Sequence, residues 1–332
     1  MSVLVIAEVG SVHDGSFGNA QNLIKVGAEA GVNAVKFQTH IAEAETLRNA
    51  PMPPYFKGEP RFEYFQRTGF SREKWQQLKE TCEQNGTEFM SSPFSIEAVE
   101  LLESVGIKRY KVPSGEVTNI PLLDVIARTG KPVLLSSGMS SWVELDEAVN
   151  TILRHHSQLS VLQCTTEYPC PYDEVGLNVM LEMRQRYNVP VGLSDHTITP
   201  YASLAAVTLG ASVIEKHLTF SRKMYGSDAK HSLEPDEFAD LVQGIRAIET
   251  MLTAKVDKDA RVADMREMKN IFEKSVVTVV PIPEGTVITA SMVAVKKPGT
   301  GIPARRLPEV IGQRVTRDIP QDTLIREEDL HA

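Results

Sequence analysis

The chain is predicted to fold as an α/β protein, a (β/α)8 barrel of the TIM type followed by a small β-rich domain. Three observations carry this. From residue 3 to about residue 252, short β-branched runs alternate with amphipathic stretches, in eight such units. Gly31, Gly86, Gly106, Gly130 and Gly210 fall at five of the helix-to-strand returns, where a residue tolerant of positive φ is needed. Nearly every polar departure from strand periodicity lies at the carboxyl end of a strand, where barrel enzymes build their sites.

Strands are expected over residues 3–7, 34–38, 88–91, 109–112, 132–135, 160–163, 190–193 and 212–215. Helical patterns follow each, for example over 19–30, 72–85, 96–105, 122–128 and 235–252. Between the second strand and its helix, residues 41–69 carry Pro51, Pro53, Pro54 and Pro60 among aromatic residues and are too long for an ordinary connection. They are expected to form a rim or lid. The domain reading is a barrel over 1–254, a charged, partly helical linker over 255–274, and a β-rich domain over 275–332. Within the last, Ile282-Pro283-Glu284-Gly285-Thr286 and Ile319-Pro320-Gln321-Asp322-Thr323 mark an internal pseudo-repeat.

Composition narrows the function. With 332 residues and 42% hydrophobic content, a large core is within reach. A formal charge of −8 argues against a general nucleic-acid or membrane surface, so an anionic substrate needs its own cationic pocket. Cys82, Cys164 and Cys170 match no zinc spacing, and their odd number argues against a disulfide framework. Reduced thiols in a cytoplasmic protein are expected. The opening residues read as a strand and not as a signal peptide, and no stretch approaches a membrane span.

The strand ends carry Glu8, Lys36 and Gln38, Ser91 and Ser92, Lys111 with Ser114 and Glu116, Ser136 and Ser137, Thr165, Thr166 and Tyr168, Ser194-Asp195-His196, and Glu215 with His217. Two lysines among serine hydroxyls make a cradle for a phosphate, because point cations and small donors match its oxygens. His196 and His217, at adjacent strand ends, read as a shared site for a divalent ion such as manganese, with Asp195 and Glu215 orienting the rings. Each residue also has a plainer reading. Lys36 alone suits a rim salt bridge as well as a ligand contact, one histidine alone suits a structural hydrogen bond, and Tyr168 and Glu116 suit rim polarity. The grouping favours chemistry.

The same residues stand in Ala7-Glu8-Val9-Gly10, His13-Asp14-Gly15-Ser16, Lys36-Phe37-Gln38-Thr39, Ser91-Ser92-Pro93-Phe94, Lys111-Val112-Pro113-Ser114-Gly115-Glu116, Ser136-Ser137-Gly138-Met139, Cys164-Thr165-Thr166-Glu167-Tyr168-Pro169, Leu193-Ser194-Asp195-His196 and Glu215-Lys216-His217. In this order and spacing the whole chain resembles the sialic acid synthase family, which also makes legionaminic, pseudaminic and related nonulosonic acids. Its last segment, with Lys297-Pro298-Gly299-Thr300-Gly301, looks like that family's antifreeze-like (SAF) domain. The resemblance implies condensation of phosphoenolpyruvate with the open-chain aldehyde of an N-acylated amino sugar such as N-acetylmannosamine, with loss of phosphate by C–O cleavage. It implies manganese or magnesium on His196 and His217, phosphoenolpyruvate among Lys36, Ser92, Lys111, Ser114, Ser136 and Ser194, and sugar against Gln38, Thr166, Tyr168 and Asp228. Glu8 and Glu116 are implied as proton carriers. Lys297 would reach the sugar from the partner subunit of a domain-swapped homodimer.

Three departures stand against the family pattern. Val12 and Thr166 replace asparagines, and Lys297 replaces an arginine, which keeps the charge but loses the fork of donors. All three bear on the sugar, so the reaction is expected to hold while acceptor preference shifts. The alternatives are a synthase that uses a phosphorylated or otherwise different sugar, which the terminal domain disfavours, and a non-catalytic sugar-binding barrel, which the intact histidines and lysines disfavour.

Overall fold

The computed structural model describes residues 2–51 and 58–331. Eight parallel strands close a barrel in sequence order: β1 (Leu4–Gly10), β2 (Ala34–Thr39), β3 (Glu88–Pro93), β4 (Tyr110–Val112), β5 (Val133–Ser136), β6 (Leu159–Cys164), β7 (Val191–Asp195) and β8 (Val213–His217), which returns to β1. Every expected strand is present. Several run further at the carboxyl end than the β-branched runs implied, so Glu8, Ser92 and His217 lie on strands and not past them. The barrel pairing supplies backbone partners there that a local pattern cannot anticipate.

The main barrel helices are α1 (Phe17–Glu29), then, past α2 (Ala42–Glu45) and α3 (Arg61–Thr68) in the insertion, α4 (Arg72–Gln84), α5 (Ile96–Val105), α6 (Ile120–Arg128), α7 (Trp142–Leu153), α8 (Leu177–Tyr187), α9 (Tyr201–Thr208) and α10 (Pro235–Thr253). Ser16, Ser71, Ser95, Asn119 and Ser141 each accept a first-turn N–H at a helix start, and Ser141 with Glu144 completes a capping box. Gly106 ends α5 in the left-handed region, φ 78°, as its place in the sequence requires. Outward-facing Val5, Phe37, Tyr110 and Ile214 pack with Leu23, Trp75, Leu102 and Leu241 of the helices, forming the main core. Inside the barrel a second cluster of Ile6, Ala34, Met90, Leu134, Leu162 and Val213 plugs the channel beneath the strand ends. Gly192 completes that layer on β7, where a Cβ would stand 2.3 Å from the Val213 carbonyl oxygen.

The chain divides into two compact units, one ending at Thr253 and one beginning at Ala254. The expected linker therefore belongs with the terminal unit, as the short helices α11 (Lys258–Asp264) and α12 (Arg266–Phe272). Beyond it, β9 (Ser275–Thr278) pairs antiparallel with β10 (Val293–Lys296), and isolated bridges complete the domain around Val276, Ile282, Ile302, Val315, Ile319 and Ile325. Regular strand is scarcer than the sequence implied, since turns interrupt it every few residues. The two repeated phrases meet: Ile282 and Ile319 exchange backbone hydrogen bonds of 2.8 Å. Among the described residues, no helix is long and apolar enough to cross a membrane.

Candidate active site

Strand period places residue i+2 directly above residue i on the barrel interior. Two positions above the apolar plug stand Glu8, Lys36, Ser92, Ser136, Cys164 and Glu215, joined by Lys111 and Ser194. All are buried. Lys36 Nζ lies 2.8 Å from Glu8 Oε2, 3.2 Å from Ser92 Oγ and 3.8 Å from Glu215 Oε2. Lys111 Nζ is 3.1 Å from Glu215 Oε1, which also accepts from Ser194 Oγ at 3.1 Å. Ser136 Oγ has no partner among the described residues. The plainer reading of Lys36 is thus correct in part: both lysines are paired, because a buried ammonium needs a counter-charge. Burial, reinforced by Glu215, holds the Glu8 carboxyl above its ordinary range despite Lys36. Burial opposes the Glu215 charge as well, but Lys111 and Lys36 outweigh it and hold that carboxyl low.

The two imidazoles converge on this layer, ring centroids 5.7 Å apart. His196 Nδ1 is fixed by the Thr165 carbonyl at 2.9 Å, leaving Nε2 toward the Tyr168 hydroxyl at 3.2 Å, with the two rings stacked. Burial pushes His217 down to about 4, so its ring is neutral, and its buried Nδ1 has no hydrogen-bond partner among the described residues. The His217 ring, with its orphaned nitrogen, beside the His196 ring fits a borderline divalent ion completed by substrate and water oxygens. Among the described residues, no group of three or more His, Cys, Asp or Glu is placed to hold a metal ion.

The expected orienting roles of Asp195 and Glu215 do not hold. Asp195 faces outward, pairing with Lys216 Nζ at 2.8 Å and accepting from Ser203 Oγ at 2.6 Å, while Glu215 serves the lysines. Alternation explains this: the neighbours of inward Ser194 and inward Glu215 must face out.

The layer opens into a cavity of about 490 Å³, lined by Glu8, Lys36, Gln38, Lys111, Ser114 and Ser136 and also by Thr166, Tyr168, Ser194, His196, His217 and Asp228. Ser92 supports it from below through Lys36. Glu116 does not line it; half-buried on the turn after β4, it accepts from Asn119 Nδ2 at 2.7 Å. Lys297 lies in the terminal unit, its Nζ 4.9 Å from the Phe272 ring centre. Asp228 is held by Ser11 and Ser227, and Thr166 Oγ1 has no partner among the described residues. Sequence reasoning missed Ser11, His40, Arg61, Tyr64, Phe65 and Phe94 on the wall. Arg61, Tyr64 and Phe65 come from α3, so the described part of the insertion does form a rim. The aromatic content of that segment was the available signal.

Residues 23–257 match the NeuB family. The chain belongs to the NeuB family. Residues 273–331 match the SAF domain, which makes the barrel-plus-SAF architecture explicit. Across 98% of its length the chain is 37% identical to an N,N'-diacetyllegionaminic acid synthase of Campylobacter jejuni, covering 99% of that protein. It is 33% identical to the N-acetylneuraminate-9-phosphate synthase of Homo sapiens, over 98% of this chain and 91% of that one. The solved N-acetylneuraminic acid synthetase of Leptospira borgpetersenii is 31% identical and superimposes with a TM-score of 0.70 over 81% of this chain and 92% of its own. This NeuB protein is therefore an enzyme of the family's phosphoenolpyruvate-dependent condensation chemistry with an amino sugar.

Proposed function

We propose that this NeuB protein joins phosphoenolpyruvate to the open-chain aldehyde of an N-acylated hexosamine that carries no phosphate, forming a nonulosonic acid. The observation that carries the reading is the charge of the cavity wall. Among the described lining residues, Lys36, Lys111 and Arg61 are balanced by Glu8, Glu215 and Asp228. Phosphoenolpyruvate brings about three negative charges of its own, which a divalent ion and Lys297 of the partner subunit would largely offset, and a phosphorylated sugar would add about two more to a wall whose own side chains carry no net positive charge.

In this reading Lys36 and Lys111, with Ser114, Ser136 and Ser194, receive the phosphate and carboxylate of phosphoenolpyruvate, while Gln38, Thr166, Tyr168 and Asp228 bind the sugar. The enol carbon attacks the aldehyde carbon, and the aldehyde oxygen takes a proton. Water adds at the cationic carbon left behind and gives up a proton, and the C–O bond to phosphate then breaks, the new hydroxyl passing its proton to the departing phosphate to leave a ketone. Glu8 is the cavity carboxyl whose proton affinity burial raises, which suits it to hold and return that proton. Glu116 lines no part of the cavity and has no such access. A manganese or magnesium ion held by His196 and His217 would polarise the aldehyde. The protein acts as a domain-swapped homodimer in which the partner's SAF domain brings Lys297 to the sugar.

The test is phosphate release from phosphoenolpyruvate with N-acetylmannosamine, its 6-phosphate and the diacetamido-trideoxyhexoses, with and without chelator. A neutral acceptor should be preferred over the phosphorylated one by about tenfold or more in kcat/KM. Preference for the phosphorylated sugar overturns the charge argument, and no release with any acceptor overturns the reading.

A further inference from the structure

The wall between the rim and Glu8 is a stack of four planar groups. The Arg61 guanidinium lies 5.0 Å from the Phe65 ring centre, Phe65 stacks on His40 at 3.7 Å and 7°, and His40 stacks on Phe94 at 4.1 Å and 22°. His40 is therefore clamped on both faces, by a residue of α3 and by one following β3. Its edges are also held. Nδ1 is 2.7 Å from Glu45 Oε1 on α2, and Nε2 is 3.2 Å from Gln38 Oε1. Gln38 in turn donates from Nε2 to Glu8 Oε1 at 2.8 Å.

The chemistry of these contacts fixes a direction. With Oε2 facing the Lys36 ammonium, Glu8 presents Oε1 as an acceptor, so the Gln38 amide turns its nitrogen toward Glu8 and its oxygen toward His40. That oxygen only accepts in its turn, so His40 Nε2 must donate. The opposite edge of the ring, Nδ1, meets Glu45 Oε1. Turning the amide over would set two acceptors against each other at Glu8, and a ring fixed on both faces and at both edges forbids it.

We propose that His40 is a positioning residue for the condensation: by locking the Gln38 amide, it holds the Glu8 carboxylate and the amide face offered to the amino sugar in their working orientation. The insertion acts on catalysis through this contact, since Glu45 and Phe65 both belong to it. The proposal rests on the reading of Glu8 and Gln38 given above.

The test measures kcat and both KM values for His40→Phe, Gln38→Leu and the double variant. Phenylalanine keeps the stack and removes both edge hydrogen bonds. His40→Phe should lower kcat/KM for the amino sugar by about tenfold or more while leaving the KM for phosphoenolpyruvate within about twofold. The double variant should lose no more than the worse single variant, because the two residues act as one unit. Should His40→Phe not fold, Glu45→Leu and Glu45→Gln replace it. The leucine variant should show the loss, and the glutamine variant should recover most of it, because an amide donating to Nδ1 leaves Nε2–H for Gln38. Multiplicative losses, an equal rise in both KM values, or Glu45→Gln as impaired as Glu45→Leu overturns the role of His40. If the wild-type protein releases no phosphate with any amino sugar, the functional reading falls first and the proposal with it.

Discussion

Inside the barrel, Ile6, Ala34, Met90, Leu134, Leu162 and Val213 each stand two residues before Glu8, Lys36, Ser92, Ser136, Cys164 and Glu215. The backbone and the direction of the side chains are the same for both layers, and both are buried. The lower layer is apolar, and each methylene buried there stabilises the fold by about 0.8 kcal/mol. The upper layer holds two ammonium groups and two carboxylates, whose mutual attraction does little more than offset their desolvation. One layer of the channel therefore holds the barrel together while the next is kept for chemistry.

The largest expected effect breaks the upper layer. Lys111→Met removes the nearer cation from Glu215 and should lower turnover by about a thousandfold, measured as phosphate release. It should also cost about 3 kcal/mol of stability or less in urea melts, since one buried carboxylate loses a partner. Turnover within about threefold of wild type would take Lys111 out of the site. In the lower layer the pattern should reverse. Met90→Ala, directly beneath Ser92, should cost about 2–4 kcal/mol through the cavity it leaves, with kcat and both KM values unchanged in the folded protein. A large change in kcat would show that the layers are not separable.

The smallest effect concerns a polar group that packs as though it were apolar. His13, after β1, stacks near Phe70 at 4.8 Å, accepts the Gly15 N–H, and is held at about 4 by burial, against an ordinary value of 6.5. Between those values the unfolded chain binds the proton and the native protein does not, so stability is full above pH 6.5 and falls as the pH drops. The loss from His13 should be about 2 kcal/mol between neutral pH and about pH 5. His13→Gln should flatten that slope in urea melts, and an unchanged slope would assign it to other groups.

Eight strands, the residues at their ends and the converging histidine pair were all legible in the sequence, because alternation and glycine placement are local signals. Misreadings came where a partner lies far along the chain. Glu215 looked like an orienting group for His217 because the two are neighbours in sequence, but closure of the barrel sets it against Lys111 on β4. Asp195 looked functional beside His196, but alternation turns it outward to Lys216 and Ser203. His40 gave no sign of importance, since Phe65, Phe94 and Glu45 come to it from three separate segments.

The sequence by itself determined the barrel, the inward face of each strand and the kinds of groups at its mouth, because the period of a strand is a property of the backbone alone. Only the tertiary structure decided which of those groups carry paired charges, which carboxyl burial lifts above its ordinary range and which ring aims the Gln38 amide. These depend on desolvation and on distances of a few ångströms between strands that the chain order keeps apart.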